Sequence, residues 1–351
     1  MLKVSSRVLL AGMYSWWEHE VLFEPKDWIQ VEVTSACNAA CGYCPRTVYG
    51  RQWQNRYITL ETFQKILPAM SKTALVYLQG WGEPFLHPDF LTMVRMAKKA
   101  KCIVGTTTNG MLLHAGHVRE VVAAGLDILA ISLAGTTPRH NDAARAGTSL
   151  VKVLEKLDLI HQIKQKQRSK TPAVHLAYML LRSGLEDLED LPRLMAEHGV
   201  DQAVVSVLDF EPGLKLSQEV LAPQDDKERR DLEELFVKVS RRAAELGVVI
   251  HLPSFGLRGE DEPVCSENIQ RALFVSADGD VSPCVYANVP VDQAEYARQG
   301  HVAHYHRVSY GNINVEILPK IWRNTEYAGF REKLVQGPPP EICLSCPKRG
   351  R

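Results

Sequence analysis

Six short β-type runs, each followed by a helical stretch, set the limits on what this chain can become. The runs are Trp28–Thr34, Leu75–Gln79, Cys102–Thr107, Ile128–Leu133, Val174–Leu180 and Ala203–Leu208. Each is rich in β-branched or aromatic residues. In the first, Ile29, Val31 and Val33 alternate with Gln30 and Glu32, the period that a strand with one buried face demands. Between the runs, Thr59 stands before LETFQKILPAM, Asp89 before FLTMVRMAKKA and Ser149 before Leu150–Lys166. A small polar side chain at such a position can accept from the free N–H groups of the first helical turn. Glu186–His198 reads as a further helix, stopped by Gly199. Repetition in that order implies a parallel sheet with right-handed crossovers. In a closed or partly closed β/α barrel, reactive groups sit on loops after the strands' C-terminal ends. The unusual residues fall there: a cysteine cluster after the first run, GWGEP after the second, TNG after the third and AGT after the fourth.

The 41 Lys+Arg balance 41 Asp+Glu, which leaves no basic excess for general nucleic-acid binding. With 45% hydrophobic and 23% charged residues the composition is that of a globular protein. No apolar run reaches the ~18–20 residues of a membrane span. Val8–Trp17 (VLLAGMYSWW) is apolar, but it has no strongly basic leader or small-residue cleavage site, and Glu18 and Glu20 follow. Residues 1–27 are therefore expected to form a helical segment packed on the body, a docking or membrane-surface helix being the alternative. After Asp209 the pattern changes. A charged helix over Asp225–Leu246 and a strand over Val248–Leu252 make a linker, 213–258. Beyond it the chain is loop-rich, with turn signals at Asp278-Gly279 and Gly311-Asn312 and the run Pro338–Pro340. A segment so poor in periodic core needs a staple.

The eight cysteines supply one. Cys37, Cys41 and Cys44 crowd one loop; Cys265, Cys284, Cys343 and Cys346 lie in the last quarter; Cys102 is left over. Thiols clustered this tightly, with no export signal, indicate metal and a cytoplasmic setting. Cys102, in an expected strand, reads as a buried small hydrophobe. Three cysteines can hold a 4Fe–4S cubane with one iron open to a small chelating ligand; a zinc site with a fourth ligand from elsewhere is the alternative. The four later thiols can saturate one cubane or form a four-thiolate zinc knot. His301, His304 and His306 read as solvated surface.

CNAACGYC (Cys37–Cys44), following a first strand, resembles the signature of the radical S-adenosylmethionine (radical SAM) superfamily. QGWGEPFLHPDF (Gln79–Phe90) is similar to that family's second-strand glycine–glutamate motif, and TTNGMLL (Thr107–Leu113) and ISLAGT (Ile131–Thr136) to its third and fourth strand ends. The resemblance implies an α/β fold with a partial (β/α)6 barrel over 28–212. It implies that Cys37, Cys41 and Cys44 ligate a 4Fe–4S cluster whose fourth iron is chelated by SAM. It places Tyr43 near the adenine, Gly82 and Glu83 at the methionyl amino group, Asn109 and Ser132 on the ribose side, and Arg145 at the SAM carboxylate. Trp81 stands where the family usually has glycine, which puts the local backbone angle in question. The region 259–351 resembles the truncated auxiliary-cluster module called twitch, a relative of the SPASM domain, and so implies that Cys265, Cys284, Cys343 and Cys346 ligate a second 4Fe–4S cluster. The one remaining thiol is too few for another all-cysteine cluster.

The implied activity is reductive cleavage of SAM to a 5′-deoxyadenosyl radical, which abstracts a hydrogen atom from a substrate. The outcome would be oxidation, dehydrogenation or maturation of a small molecule or cofactor, assisted by the auxiliary cluster. A peptide- or protein-modifying maturase is the alternative within the class, and a non-redox zinc-binding interaction protein the alternative outside it. A nucleotide-dependent dehydrogenase is disfavoured because no GxGxxG follows the first strand. Expected partners are a small-molecule or peptide substrate and a flavodoxin- or ferredoxin-type electron donor, with no nucleic acid. Trp81, Tyr178 and Asp209 are candidates for substrate contact, and Asp209 and Glu211 for a base.

Overall fold

The computed structural model describes residues 26–253, 265–298, 301–336, 338–344 and 346. The expected N-terminal helix lies outside the described residues, which begin as Lys26 opens the first strand. All six expected strands form. β1 (Lys26–Val31), β2 (Thr73–Tyr77), β3 (Ile103–Thr108), β4 (Ile128–Leu133), β5 (Ala173–Leu180) and β6 (Gln202–Val207) lie side by side in chain order, every neighbour parallel. This is the adjacency that strand–helix–strand repetition leads one to expect. The first strand stops short of the expected Thr34 because Thr34 leaves the ladder to bridge Tyr57, its hydroxyl donating to the Arg56 carbonyl at 2.7 Å.

The sheet then grows at both edges. β7 (Val249–His251) adds in parallel to β6, and β8 (Ala272–Val275) adds in parallel to the free edge of β1, followed by antiparallel β9 (Val281–Ser282). The order β9-β8-β1-β2-β3-β4-β5-β6-β7 leaves β9 and β7 as edges, so the barrel is open. The C-terminal region thus supplies a strand of the central sheet.

Alternation along the strands sorts the two faces. Ile29, Val31, Val76, Val104, Leu129, Ile131, Leu176 and Leu180 are buried in one apolar cluster with the helices. Gln30, Tyr77, Thr107 and Ser132 alternate with them and take the opposite face. From the long helix Leu150–Gln167, Leu150, Val153, Leu157, Ile160 and Ile163 are buried at helical spacing, each worth about 1.5–3 kcal/mol of burial. Tyr178 belongs to this apolar face at 1% exposure. It is packed against the helix layer and is removed from the candidates for substrate contact.

The expected caps divide. Thr59 accepts from the Thr62 amide at 3.0 Å, as expected. Asp89 and Ser149 make no side-chain cap. The amide of Leu150 is instead satisfied by Asp142 Oδ1 at 2.7 Å, so the cap comes from the preceding turn. Glu186–His198 is not one helix: a 3-10 stretch, Arg182–Asp190, precedes the α-helix Leu191–Glu197, and Gly199 follows at φ +63°. Among the described residues no helix is long and apolar enough to cross a membrane.

Candidate active site

The loop after β1 is clamped at its base before it presents any thiol. Ser35 Oγ donates to the Gln54 carbonyl (2.7 Å), the Trp53 indole N–H donates to the Ser35 carbonyl (2.9 Å), and the Ala36 amide donates to Thr34 Oγ1 (3.0 Å). Cys37 Sγ then accepts from the Ala39 amide at 3.4 Å. Ala40–Cys41 pairs with Arg145–Ala146 as a two-residue antiparallel ladder, reinforced by Gly42 N–H to the Ala144 carbonyl at 2.9 Å. Cys44 opens the short helix Pro45–Tyr49, its carbonyl accepting from Thr47 and Val48. One loop, one ladder and one helix start therefore fix the three thiols.

Their electrostatics suit a metal. Burial pushes the Cys37 thiol up, with Glu83 and Cys41 adding to the effect. Burial also pushes Cys44 up to about 12, with Cys41 and Cys37 adding. Cys37 and Cys44 thus resist ionisation on their own, and a cationic centre reverses that cost. Among the described residues, His140, Glu186 and Asp187 are the one trio of Cys, His, Asp or Glu with ligand atoms within 4.8 Å of one another. That trio is not free for metal. Asp187 Oδ2 accepts from the Thr136 and Thr137 amides (2.8 and 2.9 Å) and Oδ1 meets His140 Nδ1 at 2.9 Å, a structural brace for the loop after β4.

Glu83 reaches this loop from β2. Its amide donates to the Ala36 carbonyl at 2.8 Å. Oε1 accepts from Thr108 Oγ1 (2.7 Å) and the Phe85 amide (3.2 Å), and Oε2 accepts from the Asn109 amide (2.7 Å). Burial pushes the carboxyl above its ordinary range, opposed by those donors and by Arg145. Gly82 is needed for closeness: a Cβ there would lie 2.3 Å from the Thr34 carbonyl oxygen and 2.4 Å from that of Ala36. Trp81 is not among the residues with positive φ, so the backbone question raised by its size does not arise. Its indole N–H donates to the Asn288 carbonyl at 3.2 Å, and its ring meets Trp53, Phe210 and Tyr286 at 5.9–6.3 Å.

Arg145 is buried, and its Nη1 donates to the Tyr43 hydroxyl at 2.7 Å. Burial works against its charge, but Tyr43, Cys41 and Cys37 hold its pKa above the ordinary value. Its Nε is buried with no hydrogen-bond partner, a donor suited to an anionic ligand group beside the thiols. Asn109 is tied to the cysteine loop, Nδ2 donating to Asn38 Oδ1 (2.8 Å) and lying 3.8 Å from Cys37 Sγ. Ser132 is half-buried near the end of β4, in register with Ala177. Glu211 accepts from Ser217 Oγ at 2.6 Å, and its carbonyl accepts from the Ala297 amide. It ties the loop after β6 to the hairpin of strands Ala294–Arg298 and His301–Tyr305. The histidines 301, 304 and 306 are exposed, and Cys102 is buried just before β3.

The second thiol set gathers beside β9. Cys284 starts a 3-10 turn, Val285–Ala287. Burial pushes its thiol well above the ordinary value, and Glu267, Cys346 and Cys265 add to that. Burial, with Cys343 adding, pushes the Tyr310 hydroxyl up; its ring stacks on Tyr327 at 4.4 Å, and Cys346 N–H returns to the Cys343 carbonyl at 3.3 Å. The motifs assign no role to Thr108, Arg46 or Glu32. Arg46 Nη1 donates to the Ala39 carbonyl at 2.9 Å, its charge favouring a Cys37 thiolate. Thr108 had a signal, standing immediately before the Asn109 that was read.

Comparisons with known proteins agree with this geometry. The family model of the radical SAM superfamily matches residues 31–195, and that of the SPASM iron–sulfur cluster-binding domain matches residues 265–347. The chain is 27% identical over 310 residues to the tungsten-containing aldehyde ferredoxin oxidoreductase cofactor-modifying protein of Pyrococcus furiosus, covering 87% of this chain and 83% of that one. It is 27% identical over 284 residues to GTP 3′,8-cyclase of Peptoclostridium acidaminophilum, covering 78% and 85%. Streptococcus suis SuiB bound to S-adenosylmethionine superposes with a TM-score of 0.67 at 16% identity over 99% of this chain and 78% of that one, a likeness of fold. The two matched domains, in this order on an open parallel β/α sheet, identify the chain as a radical SAM enzyme with a C-terminal SPASM/twitch-type cluster-binding domain, its cofactors SAM and iron–sulfur clusters.

Proposed function

We propose that the chain generates a radical from SAM and uses it to take a hydrogen atom from a small molecule or cofactor precursor. The observation that carries this reading is the convergence at one loop of three half-buried thiols, the buried carboxylate of Glu83 and a guanidinium with a spare donor, Arg145 Nε. Cys37, Cys41 and Cys44 would hold a 4Fe–4S cluster, three thiolates being one fewer than its irons. When bound, that cluster supplies one electron to the sulfonium of SAM, giving the 5′-deoxyadenosyl radical that abstracts hydrogen. The chain's own residues bind and orient. Glu83, fixed by Thr108, Asn109 and Phe85, accepts from the methionyl ammonium. Arg145 donates to its carboxylate. Tyr43 and Ser132 flank the nucleoside, and Asn109 keeps the cysteine loop in register with β3.

Cys265, Cys284, Cys343 and Cys346 hold one auxiliary cluster, saturated by four thiolates. The rings of Trp53, Phe210 and Tyr286 all meet that of Trp81, two residues before Glu83, and Tyr286 stands two residues past Cys284. The small-molecule reading follows the relative from Pyrococcus furiosus, whose name is that of a cofactor-modifying protein and whose length this chain largely spans. A flavodoxin- or ferredoxin-type donor in the cytoplasm supplies the electron. Peptide modification is the second reading, favoured by the likeness to SuiB, which has also been crystallised with its precursor peptide SuiA. Anaerobic incubation with SAM, reductant and deuterated pools of metabolites or of peptides tests both. Deuterium in 5′-deoxyadenosine from the metabolite pool supports the proposal, deuterium from the peptide pool alone supports the second reading, and release with neither overturns hydrogen abstraction from these classes.

A further inference from the structure

Glu32 is the first residue past β1, and at 1% exposure it is a buried carboxylate. It lies outside the thiol, Glu83 and Arg145 set, yet its two oxygens point to the two halves of the molecule. Oε1 accepts from the Trp81 amide at 2.9 Å, and Oε2 accepts from the Ala277 amide, past the end of β8, at 3.3 Å. Its own amide donates to the Val275 carbonyl at 2.9 Å. Gly80 is shaped around it: a Cβ on Gly80 would lie 2.4–2.5 Å from Glu32 Cγ, Cβ and Oε1. Burial works against the charge, and Arg307 and Arg56 offset it. Those two guanidiniums share Asp278, in contact with Arg56 Nη1 and 2.9 Å from Arg307 Nη2.

We infer that Glu32 is a positioning residue for SAM binding: by holding the Trp81 amide it sets the Gly80–Glu83 turn, and so the carboxylate of Glu83, at the height the methionyl ammonium requires. The turn has anchors at both ends. Trp81 N–H is held by Glu32, Gly82 is wedged against the Thr34 and Ala36 carbonyls, and Glu83 N–H is held by the Ala36 carbonyl. Releasing the first leaves a half-buried donor unpaired, which costs more than the bond itself is worth, and the turn relieves that by moving. The shared acceptor also makes the seat of the C-terminal domain part of the same brace. The inference rests on the proposed role of Glu83.

The test uses the anaerobically reconstituted full chain and SAM titration by calorimetry, with iron content as control. Glu32→Met keeps the length of the side chain and removes both acceptors; Glu32→Gln keeps the length and one acceptor oxygen. The expected result is full iron in both, SAM affinity about tenfold weaker in Glu32→Met, the order of one lost buried hydrogen bond, and recovery to within about threefold in Glu32→Gln. SAM binding by Glu32→Met at wild-type strength, or equal weakening in both variants, overturns it. If Glu32→Met does not retain iron, hydrogen exchange of the unaltered protein decides: the Trp81 amide must be protected, and exchange at the rate of an open loop overturns the inference. Failure of the wild-type protein to bind SAM strikes at the proposed function instead, which separates the two.

Discussion

Gly82→Ala tests the placement of Glu83 most directly, because the size of its effect follows from distances. The added methyl carbon would lie 2.3 Å from the Thr34 carbonyl oxygen and 2.4 Å from that of Ala36. A carbon–oxygen contact settles at about 3.3 Å or more, so the turn must retreat by about 1 Å. Both obstacles are backbone and cannot swing aside. Ala36 O also accepts from Glu83 N–H at 2.8 Å, and a 1 Å retreat takes that pair beyond hydrogen-bonding range. The lost bond costs about 1 kcal/mol and the crowding about 1–3 kcal/mol. A carboxylate displaced by about 1 Å from its ligand costs on the order of 100-fold in the reaction it serves. Gly42, inside the cysteine motif, is the control: a Cβ there meets only the Ala144 carbonyl oxygen at 3.9 Å. The assay is SAM calorimetry plus chromatographic measurement of 5′-deoxyadenosine release. Gly82→Ala should lose one to two orders of magnitude in release while retaining auxiliary iron, and Gly42→Ala should stay near wild type. Release by Gly82→Ala within threefold of wild type, or equal damage in Gly42→Ala, refutes the reasoning.

Cys41→Ala should abolish reductive SAM cleavage, whereas Cys343→Ala should remove about four irons on a two-cubane count and the substrate reaction, yet leave uncoupled SAM cleavage measurable; iron analysis and 5′-deoxyadenosine release check both. Asp142→Ala should destabilise the long helix Leu150–Gln167 by about 1 kcal/mol through loss of its N-terminal acceptor, and Ser149→Ala should be nearly silent, as denaturant midpoints will show. Asp187 carries the pH dependence. Burial raises its pKa, but hydrogen bonds from His140, Thr137 and Thr136 outweigh that and hold it below the ordinary 3.8. Its stabilisation is therefore complete above that value and lost as pH falls through the lower folded value. The gap in thermal midpoint between wild type and Asp187→Asn should be widest near neutrality and narrow below about pH 4; a gap independent of pH would count against the brace.

The β/α order was legible because each strand buries one apolar face and each loop after it carries an odd residue. Ile128–Leu133 was read with its observed limits, since polar or glycine residues close on both sides. What escaped was anything set by distant chain. β8 pairs with β1 across some 240 positions, and nothing local to ALFV (272–275) names its partner. Asp89 and Ser149 looked like caps by position, yet the N–H groups found other acceptors, as the Asp142 bond shows. The two groups of thiols stood out by their spacing, whereas Glu83 and Arg145 came only with the resemblance to the radical SAM family. Glu32 was seen only as the polar member of an alternating pair, because its meaning lies in Trp81 and Ala277, neither of which sequence spacing brings near it.

The pairing of β8 with β1 has a bearing on how the molecule is made. A chain cut near residue 253 would leave the opening strand with a bare rim of amides and carbonyls right beside the cysteine loop, an invitation to sticky self-association. The tail therefore cannot be lifted off as a cassette. During synthesis the first strand must wait, one side unsatisfied, until residues 272–275 have emerged.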